Sequence, residues 1–225
     1  MHGLKMAAAA LAATLLVGAS PPKGDWNATV TVTPSGSHVI GNPKAAIKVA
    51  EYVSYTCPHC AHFHIESEGP LRVAYIPQGK VSVEVRHLVR DAADMTAALL
   101  TNCGDPKKFY AKHNAFLQTQ EQWIKTMGTA SDVQKRRWTT GEMPQRMRAI
   151  AADFGFYKIM EKHGYDRVTT DRCLADEAMA ENLVKQTQAA INAGVTGTPS
   201  FMIDDTLLTG THDWKALEEQ INARM

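Results

Sequence analysis

The 225-residue sequence carries almost no net charge, few cysteines and no long apolar run beyond its first 20 residues. Each shortage removes a class of protein. With 24 Lys and Arg against 23 Asp and Glu, a net charge of +1, it lacks the excess of positive charge that drives binding to nucleic acid through phosphates. Four cysteines are too few for a small scaffold held by disulfides in place of a core. No apolar stretch after residue 20 approaches the ~18 residues that a spanning helix needs. Internal repeats and low-complexity tracts are also missing after the first segment. The rest, 44% hydrophobic and 21% charged, is an ordinary globular composition. It is long enough for one compact domain, or one domain with a large insertion.

The first residues read as an address. Lys5 gives a weakly basic start, Met6 to Val17 is apolar or small apart from Thr14, and Val17-Gly18-Ala19 places small residues where a signal peptidase cuts. This is the layout of a secretory signal peptide over residues 1–19. The alternative, a buried first helix, is opposed by the breaker Ser20-Pro21-Pro22-Lys23-Gly24. No cysteine follows the run, so a lipid anchor has no acceptor there. A signal implies an oxidising compartment, where cysteine pairs persist.

Along the remaining chain, Ala28 to Thr33 alternates as a candidate edge strand within an N-terminal extension over 20–40. Ile47 to Val53 reads as a buried strand and Val81 to Val89 as the clearest strand of all. A helix begins at Cys57-Pro58, since proline is favoured in a first turn, and Gly69-Pro70 kinks or interrupts it. From Asp91 to about Gly194 the spacing is helical throughout. Ser200 to Ile203 and Thr206 to Leu208 form a hairpin across Asp204-Asp205, and Thr211 caps a final amphipathic helix through Trp214, Leu217 and Ile221. The order predicts an α/β fold made of residues 41–90 and 195–225, with an all-helical insertion over 91–194, and it brings residues near 57 and 199 together.

The chemistry lies in Cys57-Pro58-His59-Cys60. Cysteines three apart at a helix start share one face, within disulfide reach. The free backbone N–H groups and dipole at that end stabilise a thiolate on Cys57, and His59 pushes the same way. A stabilised thiolate favours the reduced pair, which makes the disulfide an oxidant and Cys57 a good leaving group. Three other readings compete. The pair is an inert structural disulfide; or Cys57, His59, Cys60, His62 and His64 bind zinc, although one short helical cluster closes a tetrahedron poorly; or His62 and His64 are plain exposed helix residues. The last is favoured for those two, and no metal is expected. Farther along, Lys135-Arg136-Arg137 beside Trp138 reads as a solvated helix face.

The segment Glu51-Tyr-Val-Ser-Tyr-Thr-Cys57-Pro-His-Cys60 resembles the active-site segment of DsbA-type periplasmic thiol:disulfide oxidoreductases, on a thioredoxin fold. Val195-Thr-Gly-Thr198-Pro199-Ser-Phe-Met-Ile203 looks like that fold's cis-proline loop, and the helical block falls where the family inserts one. The likeness extends from about Gly41 to the C-terminus, and Cys173-Leu-Ala-Asp176 is similar to relatives with a second disulfide. It implies a redox-active disulfide Cys57–Cys60, with Cys57 the exposed nucleophile and Cys60 the buried resolving thiol. Pro58 and His59 would tune the pair. The Thr198–Pro199 bond would be cis, with Pro199 against the cysteines and Thr198 pairing with an extended substrate. Thr198 replaces the valine associated with the strongest oxidases of the family. Glu51 aligns with a buried acid that relays the Cys60 proton, although an ordinary strand-end ion pair explains it equally well.

Cys103 and Cys173 remain. A bridge between them closes a loop of about 70 residues and adds roughly 4 kcal/mol in the chain-entropy model. A structural tie is favoured over a second redox pair, since neither resembles an activated thiol, and two free thiols are the third option. The resemblance further implies exported proteins as substrates, a DsbB-like membrane quinone reductase as reoxidant, a monomer in the periplasm, and no cofactor. The competing functions are a disulfide isomerase or reductase, and a redox-inert chaperone-like binding module.

Overall fold

The computed structural model describes residues 24–225. The expected signal peptide over 1–19 lies outside them. Six strands form one sheet: β1 (Val30–Val32), β2 (His38–Gly41), β3 (Ile47–Val53), β4 (Val81–His87), β5 (Ser200–Ile203) and β6 (Thr206–Leu207), in the order β1-β2-β4-β3-β5-β6. Only β3 and β4 run parallel, and a parallel pair needs a crossover. The crossover here is α1 (Pro58–Pro70), continued by a wider π turn over Leu71–Tyr75 and a short 3-10 turn over Ile76–Gln78. β3 is buried on both faces except at Lys48, as a central strand should be.

Nine helices separate β4 from β5: α2 (Ala92–Thr101), α3 (Phe109–Gln118), α4 (Gln120–Trp123), α5 (Lys125–Thr129), α6 (Asp132–Thr139), α7 (Met143–Asp153), α8 (Phe156–Lys162), α9 (Arg167–Cys173) and α10 (Glu177–Asn192). The last helix is α11 (Trp214–Asn222). One continuous core joins the face of β3 that carries Ile47, Val49 and Val53 to α1, α2, α3, α7 and α8. A smaller cluster on the opposite face packs Ala50, Tyr52 and Met202 against Ala190 of α10. This is a thioredoxin fold with a helical insertion.

At Gly69-Pro70 the α-helical ladder is interrupted as expected and gives way to the π turn, although the Leu71 N–H still bonds to the Ser67 and Glu68 carbonyls and the backbone keeps helical angles through Ile76. Two expectations need correcting. Thr211 is not the last cap. That role falls to Asp213, whose carboxylate accepts from the Ala216 N–H at 2.8 Å, three residues on, where a cap must reach. His64 is not exposed but 4% accessible, because Cys60, Phe63, His64 and Ser67 make up the inward face of α1 at helical spacing. His62 does stand in solvent, near Glu66. Arg136 and Arg137 sit on the exposed face of α6.

The β5–β6 turn is tight. Asp204 and Asp205 both adopt positive φ, 49° and 64°, as a two-residue hairpin turn of the primed type demands.

Candidate active site

Cys57 is the N-cap of α1, with an extended backbone (φ −90°, ψ 115°) and Pro58 in the first turn. Its side chain therefore sits where helix N–H groups have no carbonyl partner. Cys57 lines a recess of about 520 Å³ together with His59, Leu88, Arg90 and the Thr196–Thr198 loop. Cys57 is only 2% accessible, not exposed as the resemblance implied, because the cis-proline loop closes over it. His59 and Pro58 are the exposed members of the tetrad.

The Cys57 thiol titrates at about 5, well below its ordinary 9. The Cys60 thiol hydrogen-bonding to the sulfur contributes most. The backbone N–H groups of Cys60 and His59 add to it, against the opposing effect of burial. Cys60 is fully buried and its thiol is pushed up, first by burial and then by its bond to Cys57. Both cysteines are thiols in this structure.

The Thr198–Pro199 peptide bond is cis, which proline permits at low cost. The Cys57 thiol donates to the Thr198 carbonyl at 3.1 Å. The Thr198 hydroxyl is buried and has no oxygen or nitrogen partner. His212 donates from Nδ1 to the Pro199 carbonyl at 3.0 Å, holding the far side of the loop.

Glu51 points from β3 into the core on the side that holds Cys60, and is 4% accessible. No cation pairs with it among the described residues, and its Oε1 has no hydrogen-bond partner. Burial raises its carboxyl to about 8. The charged form of Glu51 in turn disfavours a thiolate on Cys60.

The helical block supplies residues that sequence reasoning missed. Asp94 of α2 accepts from the Ser54 hydroxyl at 2.6 Å, the Tyr55 N–H at 2.7 Å and the Arg90 N–H at 3.0 Å. Asp91, the α2 cap, accepts from the Thr56 hydroxyl at 2.7 Å. Gln120 donates to the Tyr55 and Cys57 carbonyls at 2.7 and 2.8 Å. Together they hold the four-residue loop that presents Cys57. The only local signal was the pair of acids three apart at Asp91 and Asp94, which marks a helix start and nothing more.

Cys103, just past α2, and Cys173, at the end of α9, are joined by a disulfide with a Cα–Cα distance of 5.6 Å. Lys112 and Tyr165 both donate to the Cys103 carbonyl, and the Lys112 ammonium also lies 4.7 Å from the Tyr165 ring centre. Among the described residues no group of three or more His, Cys, Asp or Glu is placed to hold a metal. No helix there is long and apolar enough to cross a membrane.

The comparisons with known proteins agree with this geometry. A family model described as thioredoxin matches residues 33–223. A putative protein-disulfide oxidoreductase of Rickettsia felis is 31% identical over 193 residues, which is 81% of this chain and 60% of that protein. The chain spans 54–61% of the length of the first three Rickettsia relatives it matches. The crystal structure of a protein-disulfide isomerase from Novosphingobium aromaticivorans is 52% identical, with a TM-score of 0.81, over 84% of this chain and 97% of that one. Wolbachia pipientis alpha-DsbA1 shares the fold at 24% identity and a TM-score of 0.65, over 85% and 92% of the two chains. A cysteine at a helix start, a cis-proline against it and a family match over residues 33–223 together make this chain a member of the thioredoxin family.

Proposed function

We propose that this protein introduces disulfide bonds into exported proteins by dithiol–disulfide exchange at Cys57–Cys60. The observation that carries the reading is the placement of Cys57 at the start of α1 against cis-Pro199, with its thiol lowered to about 5. In the oxidised enzyme a substrate thiolate attacks the Cys57 sulfur. The Cys57–Cys60 bond breaks and Cys60 leaves as a thiolate, taking a proton from Glu51. The substrate is then held through a disulfide to Cys57. A second substrate thiolate attacks the substrate sulfur of that bond, and Cys57 leaves as the thiolate its surroundings favour. The substrate has lost two electrons as a new disulfide forms, and the Cys57–Cys60 pair has gained them.

Thr198 presents its backbone to an extended substrate, in the manner of a strand added at an edge. Pro58 and His59 shape the mouth of the recess. Cys103–Cys173 ties α2 to α9 as a structural link. Residues 41–90 and 195–225 act as the catalytic unit and 91–194 as the insertion that buttresses it. A DsbB-like membrane quinone reductase reoxidises the pair, and the protein works as a monomer in the periplasm. The apolar run Met6 to Val17 and the family support that location.

The test is the equilibrium potential of Cys57/Cys60 in glutathione buffers. A value near about −120 mV, the figure for DsbA, supports a dedicated oxidase, and one below about −200 mV refutes it. A second reading, isomerase or reductase, has one observation in its favour: the structure 52% identical to this chain is named a protein-disulfide isomerase.

A further inference from the structure

Behind the cysteines the core is not tightly filled. A narrow, partly open crevice with about 20 Å³ of room lies between the sheet, α1 and α3. That is room for about one water molecule, provided polar groups hold it. Aliphatic side chains of β2, β4 and the turns that continue α1 line one part of it, and Glu51, His64, Ser67, Glu68, Tyr110 and His113 line the rest. Glu51 brings the one carboxylate oxygen in the neighbourhood that is buried with no partner.

The groups around the cavity are graded from buried to open. His64 is buried, and its Nε2 lies 2.8 Å from the Asn114 Oδ1. A carbonyl oxygen only accepts, so Nε2 carries the hydrogen and Nδ1 carries the lone pair. Glu68 is the one acid of the set that reaches solvent, its side chain 31% accessible, with Arg72 at 4.0 Å. Glu68 stands eleven residues along α1 from Cys57, about 17 Å at the helical rise. The other titratable groups facing this region are Cys60 on α1, Tyr110 and His113 on α3, and Tyr55, whose hydroxyl lies 2.8 Å from the His113 Nδ1.

We propose that Glu51 exchanges its proton with solvent through this cavity, by one water passed to His64 and on to the Glu68 carboxylate, at the end of α1 opposite Cys57. The proposal rests on the reading of Glu51 as the proton partner of Cys60 and adds its connection to bulk water. It answers a structural difficulty. Cys60 and Glu51 are both sealed from water, at 0% and 4% accessible.

The step balances. When the Cys60 thiol resolves a mixed disulfide on Cys57, its S–H bond breaks and the proton goes to the Glu51 carboxylate. The Cys57–Cys60 bond forms and the partner leaves as a thiolate. Glu51 then gives the proton to the cavity water as one of the water's own protons passes to His64 Nδ1; that Nδ1–H bond breaks again when the Glu68 carboxylate takes the proton, which leaves Nε2–H on Asn114 untouched, and Glu68 releases it to solvent. The reverse direction reprotonates Glu51.

The test uses the full protein in its reduced state, mixed with oxidised glutathione. The first phase forms the mixed disulfide on Cys57, and the second releases glutathione as Cys60 attacks. Glu51→Gln slows the second phase by about 100-fold, the scale of a lost general base. His64→Phe and Glu68→Gln slow it by about fivefold or more and raise its solvent deuterium isotope effect. They leave the equilibrium potential and the Cys57 titration unchanged, since a relay alters rates and not equilibria. Glu68 is part-exposed, so its variant carries the test even if His64→Phe folds poorly. A slow Glu51→Gln with parental rates in Glu68→Gln and His64→Phe overturns the exit route alone. A parental rate in Glu51→Gln overturns the route and the role of Glu51 together. An absent second phase in the parent protein overturns the exchange reaction itself.

Discussion

The Cys57 sulfur lies 3.1 Å from the Thr198 carbonyl oxygen, although 141 residues separate them in sequence. The contact belongs to the thiol form, because a carbonyl only accepts. On ionisation the sulfur becomes an acceptor and depends on the Cys60 thiol and the helix N–H groups instead. The reduction potential therefore tracks the Cys57 proton. Below pH 5 reduction takes up two protons with two electrons, so the potential falls by about 60 mV per pH unit. Above pH 5 only Cys60 takes a proton and the slope halves to about 30 mV. A break near pH 5 in potentials measured from pH 4 to 8 checks this, together with thiolate absorbance over the same range.

The same thiolate contributes to stability. A depressed thiol supports the folded reduced state fully above the unfolded value of 9 and not at all below 5. At pH 7 about half of the span applies, or about 3 kcal/mol. Cys57→Ser removes it, so the urea midpoint of the reduced protein drops in this variant at pH 7 and not at pH 4.5.

Glu51 works in the opposite sense. Its carboxyl is raised from 4.5 to about 8, so folding loses stability as pH rises from 4.5 through 8. Glu51→Gln is more stable than the parent at pH 7 by about 3 kcal/mol, and the gap closes by pH 4.5. Urea unfolding at the two pH values measures it.

Four buried histidines set the acid limb. His38, His64, His87 and His113 come from β2, α1, the end of β4 and α3, and all titrate low because they are buried. His87 falls from 6.5 to about 3. Its share of stability is present above 6.5 and disappears on acidification towards 3, about 3 kcal/mol of it by pH 4.5. In His87→Leu the parent's loss of stability between pH 7 and 4.5 shrinks by that amount.

Truncating Asp94 to Ala leaves the Ser54 hydroxyl and the Tyr55 and Arg90 N–H groups without their acceptor. Each orphaned buried group costs about 1–3 kcal/mol. Asp94→Ala is expected to lose about 3 kcal/mol or more and to raise the Cys57 titration, as the loop below α1 loosens. Gln120→Ala, which frees two carbonyls, shows the same pair of effects at smaller size. Breaking Cys103–Cys173 by a double Ser substitution costs about 4 kcal/mol, from the 70-residue separation it closes, and thermal unfolding reads it directly.

Much of this was legible in the sequence because it is local. A helix start at Cys57-Pro58, a buried strand over Ile47 to Val53 and a paired turn at Asp204-Asp205 follow from neighbours a few residues apart. The burial of His64 was legible too, from its spacing to Cys60 and Phe63, but a polar residue type pointed the other way. Asp94 and Gln120 were not. Their partners in the Ser54–Cys57 loop lie 39 to 65 residues away, and nothing about an acid in a first turn or a glutamine in a four-residue helix says which carbonyl or N–H it will meet. The cover over Cys57 was hidden for the same reason, since it is made by the Thr196–Thr198 loop.

The three side chains that grip the Ser54–Cys57 loop, Asp91, Asp94 and Gln120, all come from the segment inserted between β4 and β5. A trimmed protein in which 91–194 gives way to a short linker would keep every strand and both Cys57 and Cys60, yet leave Cys57 on a loop without these anchors. The sheet half supplies the loop and the helical block supplies its anchors, so the geometry around Cys57 belongs to both parts at once.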